Sequence, residues 1–87
     1  MREGDAYVYV LVSVAKRLRL SYVGWTSDLD RRLAEHNAVD GRTRGAKSTR
    51  GRKWIMVYAE KCLNRSIALR REYRLKRDRK FRAALRG

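Results

Sequence analysis

The chain has 87 residues, with 23 Lys and Arg against 9 Asp and Glu, for a formal net charge of +14. That length makes one domain, burying roughly 60–65% of its unfolded surface around a modest core. The charge calls for a polyanionic partner, nucleic acid first and an anionic membrane surface second, while the lone cysteine excludes a disulfide framework and a Cys-rich zinc site.

Met1 to Asp5 is a polar lead-in. Ala6 to Val14 is a nearly continuous β-branched and aromatic run (Tyr7, Val8, Tyr9, Val10, Leu11, Val12, Val14), which suits a strand buried on both faces or a central one. No apolar stretch approaches the roughly 18–20 residues that span a bilayer. The N-terminal run carries no signal-peptide cleavage pattern, so a cytoplasmic setting without a membrane is expected. Ala15 to Arg19 is basic and turn-like, and Leu20 to Trp25 is a second strand that forms a hairpin with the first. Ser27 is the expected N-cap of the next helix, with Thr26 as the alternative. Asp28 and Asp30 fall in its first turn, where the helix dipole favours negative charge. The helix runs to Asn37 or Val39 before Asp40-Gly41 breaks it. Leu29, Arg32, Leu33 and His36 share one helical face, so a guanidinium and an imidazole border the apolar stripe.

Gly41 to Lys53 holds six basic residues, three glycines and no acid, the composition of a flexible loop. It lacks the Gly-Lys-Ser/Thr after a strand that a P-loop needs. Trp54 to Cys62 is a third strand, and the apolar setting of Cys62 makes it a buried, inert thiol. Asn64 or Ser66 caps a second helix from Arg65 to Arg77, and Asp78 to Gly87 forms a last short helix around Phe81, Ala84 and Leu85. The order β-β-α-β-α-α predicts an α+β domain over residues 1–87, a small three-stranded, mainly antiparallel sheet flanked by helices.

On a helical wheel of about 100° per residue, Glu72 falls inside an apolar arc of Ala68, Leu69, Tyr73 and Leu75, with Arg70, Arg71 and Arg74 on the other side. A carboxylate there is costly unless something positive meets it. It reads either as half of an ion pair with a nearby Arg or Lys, or as a metal ligand or catalytic acid. Tyr9 and Tyr22, on paired strands, read singly as packing residues. Together with Arg32, His36 and Glu72 they form a set able to surround a phosphodiester.

At these residues the sequence resembles the GIY-YIG nuclease superfamily, in particular its small bacterial members similar to the nuclease domain of the excision-repair endonuclease, the URI group. The first half-motif is Tyr7-Val8-Tyr9 and the second is Tyr22-Val23-Gly24. The run from Trp25 to Asn37 resembles the family helix, Gly45 to Arg52 the subgroup's basic loop, and Arg65 to Lys76 its carboxylate helix. Tyr7 stands where the family opens its first half-motif with glycine, and the hairpin between Tyr9 and Tyr22 is a few residues longer than is common. Tyr7 and Tyr9 share a strand face by alternation; the motif favours Tyr9.

The resemblance implies a metal-dependent DNA endonuclease hydrolysing phosphodiester bonds in DNA repair or recombination. It implies that Glu72 holds one Mg²⁺ or Mn²⁺ with waters completing the shell, and that Arg32 clamps a non-bridging oxygen. Tyr9 accepts the proton of the attacking water with Tyr22 hydrogen-bonded nearby, and His36 either orients the tyrosine or shares the proton. A tyrosine base needs its pKa brought down from about 10, which the positive field and the metal are expected to do. Lys47, Arg50, Arg52 and Lys76 are the expected contacts to DNA phosphates. Trp25 either stacks on an unpaired base or packs on the sheet. Specificity falls to a protein partner or to short sequence and shape features read by the domain itself. The alternative is a basic nucleic-acid-binding module without catalysis, on DNA or structured RNA.

Overall fold

The computed structural model describes residues 5–14, 19–37 and 52–87. Strands β1 (Ala6–Ser13), β2 (Ser21–Thr26) and β3 (Trp54–Cys62) and helices α1 (Leu29–His36), α2 (Arg65–Arg77) and α3 (Arg79–Arg86) follow in the order β1-β2-α1-β3-α2-α3. This is the expected α+β arrangement. β1 is the central strand, antiparallel to β2 on one side and β3 on the other. Its unbroken apolar run follows from that place, because neither face meets water: Val8, Tyr9, Val10 and Leu11 are fully buried.

Alternation along β1 builds two half-cores. Ala6, Val8 and Val10 pack with Val23, Cys62 and the α2 residues Ala68 and Leu75, with Phe81 and Leu85 of α3 against them. Tyr9 and Leu11 point the other way, onto Trp54, Tyr22, Leu29, Leu33 and Met56. A bulge in β3 helps divide the two. Val10 pairs with Tyr58 but Leu11 pairs with Met56, which leaves Val57 as the extra residue. Val57 and Tyr58 both pack on the α2–α3 side, where the Tyr58 ring meets Phe81 edge-on at 5.1 Å. Cys62 is buried as expected, and burial pushes its thiol above the usual range.

Helix ends are set by single side chains. Asp28, rather than Ser27 or Thr26, caps α1, its Oδ1 accepting from the Arg31 N–H at 3.1 Å. Thr26 ends β2 and uses its hydroxyl locally, accepting from the Asp28 N–H at 3.1 Å; that turn moves the helix start past both expected caps. At the other end, the Asn37 amide mimics a neighbouring strand. It donates to the Trp54 carbonyl at 2.8 Å and accepts from the Trp54 N–H at 2.6 Å, which pins the end of α1, and with it His36, to β3. Asn64 caps α2 through the Ile67 N–H at 2.9 Å.

α2 departs from the wheel. Ala68 and Leu75 are its buried residues, whereas Leu69 and Tyr73 are exposed. The small Ala68 lets the helix approach the sheet on that side, and Arg71 on the same flank reaches Glu60 of β3 at 2.9 Å. Glu72 is left half-buried at the edge of the stripe. Among the described residues no helix is long and apolar enough to cross a membrane.

Candidate active site

The β1–β2 register places Tyr9 opposite Gly24 and Leu11 opposite Tyr22. The two tyrosines are therefore diagonal neighbours on the α1 face, with ring centroids 6.3 Å apart. Both rings rest on Gly24. A Cβ there would lie 2.5 Å from Tyr9 Oη, 2.7 Å from Tyr9 Cζ and 2.9 Å from Tyr22 Cε1, closer than non-bonded carbon and oxygen atoms tolerate. Tyr9 is fully buried, and its hydroxyl is held by His36 and Arg32. Gly24→Ala is therefore expected to cost about 1–3 kcal/mol, the scale of overpacking a core. A lower urea midpoint with an unchanged m-value would register it; an unshifted midpoint would mean that the rings do not need this floor.

α1 supplies the facing wall. His36 Nε2 is 2.8 Å from Tyr9 Oη, and the Arg32 Nε–H donates to the same oxygen at 3.4 Å. Arg32 also donates from Nη1 to Glu35 Oε1 at 3.3 Å. The imidazole lies against Tyr22, 4.8 Å between centroids. Tyr7 shares the strand face but turns its hydroxyl to Asp5 at 3.3 Å. Of the two candidate phenols, Tyr9 is the one gathered into the cluster.

The protonation states follow from burial. His36 is 2% exposed, and burial first, then the Arg32 charge, lower its pKa to about 4, with Glu35 opposing. It is neutral near pH 7. Since Arg32 already donates to Tyr9 Oη, the pattern that uses each atom once has the Tyr9 O–H donating to Nε2, with the His36 proton on Nδ1. The Tyr9 hydroxyl moves opposite to expectation: its pKa is pushed up to about 12. Burial is the main cause; the Arg32 hydrogen bond works against it, and the charges of Tyr22 and Glu72 add to the rise. The positive field and a metal were together expected to lower it; against the charges of the protein's own groups, desolvation of the phenolate is the larger effect. Burial also opposes the Arg32 charge, yet hydrogen bonds to Tyr9, Glu35 and Tyr22 outweigh it and its pKa is raised.

Glu72 comes from α2, which lies against β1 and β2, near enough for its charge to be felt at Tyr9. Its Oε1 is 2.8 Å from Lys76 Nζ, so the ion pair anticipated for this carboxylate is present. Lys76 is 55% exposed; such a pair is worth at most about 1 kcal/mol, and an incoming cation can displace the amine. Among the described residues no three His, Cys, Asp or Glu cluster. A single carboxylate fits a hard ion that keeps most of its waters, as Mg²⁺ and Mn²⁺ do, and not a closed zinc cage.

Of the expected nucleic-acid contacts, Lys47 and Arg50 lie outside the described residues, and Arg52 and Lys76 are exposed. Trp25 is half-buried against the α2–α3 core with the Arg65 guanidinium 5.3 Å over its ring, the packing alternative foreseen for it. Three contributors were not singled out from sequence. Glu35 holds Arg32 from three residues away, a spacing that could have shown it. Gly24 stood in the second half-motif without a role; its work as the floor, and that of Asn37 as the pin, depends on Tyr9 of β1 and Trp54 of β3, which no local pattern joins to them.

The family model described as the GIY-YIG catalytic domain matches residues 5–84. A UPF0213 protein of Halobacterium salinarum is 50% identical over 56 residues, covering 63% of this chain and 68% of the relative. A UPF0213 protein of Natronomonas pharaonis is 41% identical over 73 residues, 83% of this chain and 78% of the relative. One of Oceanobacillus iheyensis is 38% identical over 76 residues, 86% and 80% respectively. No solved structure gives a significant match.

Proposed function

Since the chain belongs to the GIY-YIG catalytic domain family, which points to a nuclease, we propose that it is a metal-dependent endonuclease hydrolysing DNA phosphodiester bonds. The observation that supports this most is one oxygen, Tyr9 Oη, shared by a cation and a neutral imidazole. Arg32 is positioned to meet a non-bridging phosphate oxygen and to stabilise charge growing on phosphorus. Tyr9, with a pKa of about 12, is not a phenolate at neutral pH and so acts as a relay. As the water oxygen bonds to phosphorus, a water proton passes to Tyr9 Oη and the Tyr9 proton passes to His36 Nε2. Burial and Arg32 keep the imidazole unprotonated beforehand. A phosphodiester paired with Arg32 offsets that charge and raises the proton affinity of His36 when it is needed. Tyr22 packs on both rings and holds them in place. Glu72 would hold Mg²⁺ or Mn²⁺ in place of Lys76, and the ion would supply polarisation of the phosphoryl oxygen and stabilisation of the leaving oxygen.

Nicking of supercoiled plasmid with and without Mg²⁺ or Mn²⁺ tests the proposal. Wild type is expected to nick only with the ion. Glu72→Gln is expected to bind DNA normally and leave the plasmid intact. Undiminished nicking by E72Q overturns the assignment of the metal ligand. Failure of the wild type on single-stranded, duplex and branched DNA alike overturns the enzyme reading.

A further inference from the structure

The carboxylates of Asp5, Glu35, Glu60 and Glu72 each sit in an ion pair with a nearby base. None of these pairs involves α3, whose eight residues include Arg79, Lys80, Arg82 and Arg86 and no acid. Arg79, Arg82 and Arg86 line a pocket of about 200 Å³. That is several times the roughly 30 Å³ one water occupies in the liquid, and it suits a phosphate group. Arg82 is built into the wall: Nη1 donates to Ser21 Oγ at 3.4 Å and Nη2 to the Lys76 carbonyl at 2.7 Å. Its Nε is buried with no hydrogen-bond partner among the described residues. A half-buried guanidinium whose acceptors among the described residues are all neutral is unfavourable until a counter-charge arrives. Arg19, donating to the Arg86 carbonyl at 3.1 Å, adds a further positive charge at the rim.

We propose that this α3 pocket binds a backbone phosphate of the DNA substrate away from the cleaved bond, on the half-core opposite Tyr9. Its anchors are chain neighbours of the candidate site, Ser21 preceding Tyr22 and Lys76 pairing with Glu72 through its amine, while α3 itself packs on the other half-core. The pocket rests on the reading of DNA as substrate but not on cleavage. Three guanidinium groups in a fixed fork geometry recognise phosphate oxygens through charge-assisted hydrogen bonds.

The test is fluorescence anisotropy with a labelled oligonucleotide over a salt series in chelator, so that no hydrolysis occurs. Arg82 is left intact because it ties α3 to β2 and α2. R79Q/R86Q is compared with R70Q/R74Q, which removes the same charge from the exposed face of α2. The pocket variant is expected to flatten the plot of log affinity against log salt by about 2, roughly one for each lost phosphate contact, with R70Q/R74Q near wild type. Equal losses in both overturn the proposal, since charge alone would then be sufficient. If R79Q/R86Q melts early by circular dichroism, R79Q alone decides, with an expected loss of about 1 in slope and an unchanged slope overturning the proposal. Inorganic phosphate separates the sources. Phosphate-induced shifts of α3 amides with an unchanged DNA slope in R79Q/R86Q would make this a free-phosphate site and overturn the DNA assignment. A wild type that never cuts DNA, with the slope change intact, removes the nuclease reading and leaves the pocket standing.

Discussion

Tyr9→Phe is expected to cleave DNA about 10²- to 10⁴-fold more slowly, the range for losing one proton-transfer group, with its fold intact. Phenylalanine keeps the ring on the Gly24 floor and against Leu11, so the half-core facing α1 stays filled. The hydroxyl that joins Arg32 to His36 is what disappears. Single-turnover rates at saturating Mg²⁺ or Mn²⁺ measure the effect without product release. The pH profile supplies a second readout. His36 must start neutral, and its pKa is about 4 in the protein alone. With Arg32 offset by the bound phosphodiester it rises, but burial, the larger cause, keeps it below the ordinary value. The wild-type rate is therefore expected to stay level through neutral pH and to fall between the two. An acid limb near the ordinary histidine value of about 6.5 would show an imidazole not held neutral by burial. A Y9F enzyme as fast as wild type would remove the relay altogether.

Arg32→Ala is expected to lower the rate about 10²- to 10³-fold, the effect of deleting one preorganised donor to a developing oxyanion, while DNA binding through the rest of the basic surface persists. Arg32→Lys should recover little of it. An ammonium keeps the charge but not the fork that lets Arg32 hold Tyr9 and Glu35 together. The imidazole reports independently on the same side chain. Arg32 is the second cause lowering the His36 pKa, after burial, so its removal should move the His36 titration upward without restoring the free value. Two-dimensional NMR of the ring across pH checks this. A rate loss with an unmoved His36 titration would mean that Arg32 acts on the substrate but not on the relay.

The elements and their order are local properties, and they were legible. β3 from Trp54 to Cys62 and α2 from Arg65 to Arg77 with its Asn64 cap occur as read, because strand composition, helical period and side-chain caps act over a few residues. The α1 cap moved to Asp28 because Thr26 was already committed to a turn. The buried side of α2 was misread at Leu69 and Tyr73, because a wheel records where apolar groups lie, not where the sheet is.

The sequence by itself determined two pairs, Tyr9 with Tyr22 by strand pairing and Arg32 with His36 by helical spacing. The resemblance joined them with Glu72, which comes from α2 on the other half-core, and the structure gathers the four on one face. Only the tertiary structure decided their protonation. Tyr9 rises where a fall was expected and His36 stays neutral, the two states on which the proposed relay depends. The floor at Gly24 and the tie from Asn37 to Trp54 also belong to the fold. The physical reason is common to all of these. Desolvation and close contact depend on whatever surrounds a group, and here the surroundings come from segments far apart in the chain.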